Sequence, residues 1–184
     1  MPRTALTLCG SLRTGSVNKR LQDIMDARLR AAGVEVNSIS LKDFEMPIFN
    51  ADLEPDNVPE ASVRLADLFR GHDIVFIACP EYNGGVPPLV TNMLAWISRQ
   101  RPSPFKHAVF GIGEVSSGKY GTIWAQSHLR DSLTKGGALV VPTLLGIGPD
   151  ATAFTEKGEI AEPPIQAKIE QMVRELTHFS RGGI

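Results

Sequence analysis

Short apolar runs alternate with segments of helical spacing along the whole chain, and that alternation leaves few folds open. Residues 4–9, 34–41, 73–79, 107–113 and 138–145 read as five strands. Residues 18–32 carry Leu21, Ile24, Met25 and Leu29 close to helical spacing, and Gly33 ends the run. Residues 60–70 form a second helix with Val63, Leu65, Ala66, Leu68 and Phe69 as candidate buried positions. Residues 87–100 have proline near the first turn and Val90, Met93, Leu94 and Ile97 at i, i+3, i+4 and i+7. Further helices end near Lys135 and span residues 164–179. Residues 42–59 are polar and proline-bearing, so a surface loop is expected there; residues 146–163 read as irregular. Strands alternating with helices require a parallel sheet covered on both faces, and the unbroken apolar run at 73–79 suits that double burial. With no repeat, low-complexity tract or linker, residues 1–184 are expected to form one domain, long enough to bury a sizeable core.

Charge and composition exclude several classes of function. A formal net charge of -1 provides no basic field for nucleic acid or an anionic membrane. No apolar run approaches the ~20 residues of a spanning helix, and the amino end lacks the basic-then-apolar pattern of a signal peptide. Cys9 and Cys79 each end an apolar strand, without CxxC or Cys/His metal spacing. The expectation is no metal, and two buried, reduced thiols in a cytoplasmic protein. The alternatives are a redox thiol or a strained disulfide between neighbouring parallel strands.

In such sheets, ligands bind beyond the carboxyl ends of the strands. Three loops occupy that edge. The first runs Cys9-Gly10-Ser11-Leu12-Arg13-Thr14-Gly15-Ser16-Val17-Asn18. Ser11, Ser16 and Asn18 bring polar side chains, Arg13 a fork of N–H groups, and the helix start free amides with a positive dipole end. Gly10 and Gly15 have P-loop spacing, but Ser16 stands where the lysine belongs. The loop therefore reads as a seat for a single terminal phosphate, not for a triphosphate. The alternative is that Ser16 or Asn18 simply caps the helix. GxGxxG is absent, so a dinucleotide pyrophosphate seat is not supported.

The second loop, residues 80–88, offers the Tyr82 ring to a flat heterocycle, Asn83 and nearby backbone to its edge, and glycines for close approach. Glu81 reads as either a general base or a group orienting the loop through backbone hydrogen bonds. With no second carboxylate nearby in sequence, the orienting role is expected. The third loop, residues 113–121, brings serines and glycines that suit a ring pocket or a plain mobile loop; in the latter case Lys119 and Tyr120 are solvated.

Together these loops resemble the NADPH-dependent FMN reductase family, a branch of the flavodoxin-like proteins that contains bacterial quinone, chromate, azo-dye and ferric reductases. G-S-x-R-x-x-S-x-N stands at residues 10–18. P-E-Y-N-G stands at 80–84, followed by Asn92 and Trp96 on a helix. A Gly/Ser loop at 116–121 precedes A-Q-x-H-L-R at 125–130. The resemblance implies an α/β, flavodoxin-like, doubly wound five-stranded parallel sheet of order 2-1-3-4-5 with helices on both faces. It implies that Ser11, Leu12, Arg13, Ser16, Val17 and Asn18 surround the FMN phosphate. Pro80, Glu81, Tyr82, Asn83 and Gly84 would line the isoalloxazine, and Ser116, Ser117 and Gly118 close its far side. It further implies NAD(P)H as electron donor, hydride passage through FMN N5 to quinones, free flavin, chromate or ferric complexes, and a homodimer or homotetramer.

The chemistry would be carried by FMN, so no side chain is expected as a catalytic acid, base or nucleophile. Arg99, Arg101 and Lys119 are candidates for the NAD(P)H phosphates, or else solvated charges. His128 is expected to be structural, Arg130 to serve its helix or an interface, and Met93 and Trp96 to be core or subunit contact. The chain departs from the family at Gly85, often serine, and at Thr91 and Ala95, often lysine and aspartate. The last two positions are i and i+4 on one helix, so their joint loss reads as removal of a surface ion pair. The alternative function is a flavodoxin-like electron carrier without NAD(P)H activity. A phosphoester enzyme is weaker, because Cys9 and Arg13 miss the Cys-x5-Arg spacing.

Overall fold

The computed structural model describes residues 2–54, 57–118 and 123–180. Strands β1 (Thr4–Cys9), β2 (Glu35–Ile39), β3 (Ile74–Ala78), β4 (Val109–Val115) and β5 (Leu139–Val140) form a parallel sheet of order β2-β1-β3-β4-β5, as expected. A sixth strand, β6 (Leu145–Ile147), also pairs with β4. Helices α1 (Val17–Ala31), α2 (Glu60–Arg70), α3 (Pro88–Ile97), α4 (Ile123–Lys135), the short α5 (Asp150–Ala153) and α6 (Pro163–His178) complete the chain.

Successive strand residues face opposite sides of the sheet, so each apolar strand feeds two cores. Ile74, Phe76 and Ala78 pack with α1 and α6. Val75 and Ile77 pack with Leu65, Phe69, Val90, Met93 and Leu129 of α2, α3 and α4. At the centre, β4 carries glycine where a side chain would crowd α6. A Cβ on Gly111 would meet Leu176 at 3.1 Å and the Met172 sulfur at 3.3 Å. On α2, Leu65, Ala66 and Phe69 are buried, whereas Val63 is exposed and Leu68 half-buried, because the helix covers the sheet with one face only.

The expected strand over residues 138–145 is two strands with a break between them, and β6 extends into the stretch read as irregular. The cause is Pro142, which has no N–H for the ladder. Val141 still donates to the Phe110 carbonyl at 2.9 Å. The next available N–H, on Thr143, turns to the Glu175 carboxylate at 3.1 Å, and pairing resumes where Leu145 meets Gly113. Two single 3₁₀ turns, Leu41–Asp43 and Ala51–Leu53, interrupt the stretch read as a loop over residues 42–59. Asn92 and Trp96 of α3 pin it: Asn92 Oδ1 accepts from Phe49 N at 2.8 Å, and Trp96 Nε1 donates to the Pro47 carbonyl at 2.8 Å. Trp96 is fully buried and Met93 nearly so, so both are core. No helix among the described residues is long and apolar enough to cross a membrane.

Candidate functional site

Strands β1, β3, β4 and β6 all end on one edge of the sheet, and the loops that follow them enclose a cleft of about 210 Å³. Its lining includes Ser11, Arg13, Ser16, Val17 and Asn18 from the first loop, Pro80, Glu81 and Tyr82 from the second, and Ser116 and Ser117 from the third. Ligand pockets usually span about 300–1,000 Å³, so this cleft is large enough for only part of a ligand of that class.

The first loop is shaped by Gly10 and Gly15. A Cβ on Gly10 would come 2.6 Å from Val90 and 3.3 Å from Pro80, so β1 and the second loop meet there without a side chain between them. Gly15 has φ +70, a left-handed turn into α1. Ser16 occupies the N-cap position yet makes no side-chain cap hydrogen bond. Asn18 does not cap either. Its amide donates to the Val115 carbonyl and accepts from the Val115 N–H, both at 2.9 Å, with the residue 3% exposed. The capping alternative therefore fails at both positions. The amino end of α1 presents amides and a positive dipole end beside the exposed Arg13. That combination of donors fits a phosphate.

The second loop is a tight two-residue turn. Tyr82 and Gly85 exchange two backbone hydrogen bonds of 3.0 Å, and Asn83 and Gly84 between them have φ 52 and 74. Asparagine and glycine are the residues that tolerate this geometry. Asn83 and Gly84 are thus absent from the cleft lining and instead fix Tyr82, a residue 46% exposed at the rim. Glu81 Oε2 accepts from Ala125 N at 3.0 Å, at the start of α4. This is the orienting role expected of it.

The third loop is clamped from behind. Ser116 N donates to the Ile147 carbonyl at 2.9 Å, and Asp150 N donates to the Ser116 carbonyl at 2.8 Å. A Cβ on Gly148 would lie 2.1 Å from the Gly118 carbonyl oxygen, so the chain segments touch backbone to backbone. Gly118 and Leu12 do not line the cleft. Lys119, Tyr120 and Gly121 lie outside the described residues.

Three lining residues were not anticipated: Glu114, Val115 and Asp150. A lone acid in the apolar run of β4 was the available signal for Glu114, which is fully buried. Nothing local in the sequence links Asp150 to the cleft, because it arrives there through β6. Cys9 and Cys79 are free and buried. Burial pushes both thiols upward, and the charge of Glu114 adds to the rise at Cys79. Burial of both thiols in their protonated form disfavours them as nucleophiles and so disfavours the phosphoester reading. Arg99 and Arg101 lie beyond the far end of α3, about 15 Å along its axis from its start at the cleft edge. Arg99 pairs with Glu54 at 2.9 Å, and Arg101 donates to the Ser98 and Gln100 carbonyls. Neither arginine lines this cleft. His128 is exposed on α4, while Arg130 donates to the Val141 carbonyl at 2.8 Å and so ties α4 to the end of β5.

The chain is similar to known proteins over nearly its whole length. The family described as NADPH-dependent FMN reductase matches residues 4–152. An NAD(P)H-dependent FMN reductase of Pseudomonas aeruginosa is 30% identical over 179 residues, covering 96% of this chain and 94% of the relative. A quinone reductase of Escherichia coli is 32% identical over 178 residues, covering 95% and 92%. Among solved structures, FerB, a flavoenzyme NAD(P)H:(acceptor) oxidoreductase from Paracoccus denitrificans, superposes with a TM-score of 0.80 at 24% identity, covering 95% of this chain and 97% of that one.

Proposed function

The chain belongs to the NADPH-dependent FMN reductase family, and on that footing we infer that it is an FMN-dependent NAD(P)H oxidoreductase acting on small-molecule acceptors, quinones and free flavin first among them. The observation that carries this reading is the uncapped amino end of α1 with Arg13, facing Tyr82 and Ser116 across one cleft. Ser11, Arg13, Ser16 and the amides of Val17 and Asn18 would hold the phosphate of the cofactor. Pro80, Glu81 and Tyr82 would meet its ring system, with Ser116 and Ser117 on the far side. When bound, FMN supplies a two-electron carrier between nicotinamide and acceptor. The protein's part is to bind and orient: Asn83 and Gly84 set Tyr82, Asn18 joins the first loop to β4, and Glu81 joins the second loop to α4. No side chain is assigned as acid or base.

The reading extends to a homodimer or homotetramer. An apolar groove of about 380 Å³ between α3 and α4, lined in part by Thr91, Leu94, Ala95 and Phe105, and the exposed Ile123 and Trp124 are surfaces that a second copy would cover. Light scattering at the mass of one protomer would count against it. Two free buried thiols accord with a cytoplasmic setting.

The decisive test is the visible spectrum of the purified chain after incubation with FMN, followed by anaerobic addition of NADH and NADPH separately. Flavin uptake and bleaching by either nucleotide, with recovery on adding a quinone or ferric chelate, is expected. No flavin uptake refutes the reading. Uptake without reduction by either nucleotide supports an electron carrier instead.

A further inference from the structure

We propose that Tyr82 acts through its hydroxyl as well as its ring, holding the Ser11 hydroxyl so that it donates into the cleft and thereby making the site select a phosphorylated flavin over an unphosphorylated one. The proposal rests on the flavin reading of the cleft and assigns a specificity-determining role within it. Its basis is one contact between two loops 71 residues apart: Tyr82 Oη lies 3.4 Å from Ser11 Oγ. The tyrosine is placed there by its own backbone. The paired Tyr82–Gly85 bonds and the left-handed Asn83 and Gly84 make a short, stiff turn.

The proton inventory of Ser11 allows either hydroxyl to donate, and the proposal assigns the donor to Tyr82. A serine hydroxyl has one donor and two acceptor positions. One acceptor position already receives the Arg13 N–H, at 3.3 Å. If the Tyr82 O–H takes the second, the only group left on Ser11 is its proton, which then points into the cleft. A phosphate oxygen can use that proton because it only accepts. The terminal hydroxyl of riboflavin both donates and accepts, so it is indifferent to which way Ser11 is turned. The 3.4 Å separation exceeds the about 2.5–3.0 Å of a strong O–H···O bond. The pair therefore has room to shorten when an anion polarises Ser11, as hydrogen bonds in a chain reinforce one another. Phenylalanine at position 82 would keep the ring and leave the Ser11 proton free to rotate.

The experiment titrates the full chain, stripped of flavin, with FMN and separately with riboflavin, reading quenching of flavin fluorescence. The variants are Tyr82→Phe, Ser11→Ala and the two combined. Tyr82→Phe removes one oxygen from a half-exposed side chain and leaves the turn intact. It is expected to weaken FMN by about fivefold, the size of one modest hydrogen bond, while riboflavin affinity changes less than about twofold. The combined variant is expected to lose no more FMN affinity than Ser11→Ala alone, because the phenol acts through the serine. Equal weakening for both flavins would mean that the hydroxyl does not act through the phosphate, and would overturn the proposal. So would unchanged FMN affinity, or losses that simply add in the combined variant. A wild-type chain that binds neither flavin overturns the flavin reading of the cleft itself, and this proposal with it.

Discussion

Replacing Asn18 by alanine asks whether the first turn of α1 is held by the sheet or by the ligand. The family resemblance puts this residue among those around the phosphate. In the structure its amide group is committed on both sides to Val115, with the N–H and the carbonyl each at 2.9 Å. The site is 3% exposed, so water is poorly placed to substitute. Asn18→Ala strands two backbone polar groups, each costing about 1–3 kcal/mol when buried without a partner. The expected loss is about 3 kcal/mol. In a chain of this length each kcal/mol moves the melting temperature by about 2–4 °C, so the flavin-free variant should melt about 9 °C below the wild type. The assay is calorimetry of both chains stripped of flavin, then an FMN titration below the variant's transition. The clamp predicts weaker FMN binding as well, because the first loop loses its tie to β4. A flavin-free melting temperature within about 2 °C of the wild type, with FMN binding lost, would refute the reasoning and return Asn18 to direct contact with the cofactor.

Gly148→Ala forces a Cβ to within 2.1 Å of the Gly118 carbonyl oxygen and 3.3 Å of the Ser116 carbonyl. The third loop must shift, at about 1–3 kcal/mol, and FMN affinity should fall together with thermal stability; unchanged values of both would show that the segment yields freely. At Glu175, burial raises the carboxyl, but the Thr143 hydroxyl, the Gln171 amide and the Thr143 N–H outweigh it and hold it below its ordinary value of 4.5. A depressed carboxylate contributes stability that is present above its unfolded value and lost as pH falls through the folded one. Glu175→Gln should therefore lower the melting temperature at pH 7 and flatten its decline below about pH 5, and an acid limb parallel to the wild type would contradict this.

The layered architecture was legible because burial on both faces of a sheet leaves a local trace. Residues 74–78 are apolar without interruption, and α2 begins and ends where its spacing says, at Glu60 and Arg70. The order of the central strands followed from the resemblance, and the pairing agrees. The place of the first loop in the cleft was legible because it directly follows β1 and leads into α1. The break at Pro142 was visible as a residue, but its consequence was not, since the rescue of Thr143 comes from Glu175, 32 residues away.

The sequence by itself determined that five apolar segments would stack into a two-faced parallel sheet, and that its first loop would present a helix start rich in hydrogen-bond donors. These are properties of neighbours along the chain, set by side-chain period and by backbone groups that a helix leaves unpaired. Only the tertiary structure decided what each polar side chain does. Asn18 reaches Val115 across 97 residues, Glu81 reaches Ala125 across 44, and Tyr82 reaches Ser11 across 71. Glu114 and Asp150 enter the cleft only because β4 and β6 lie side by side. Hydrogen bonds depend on distance and angle in space, and residue types along a chain carry no record of which distant atoms the fold will bring together.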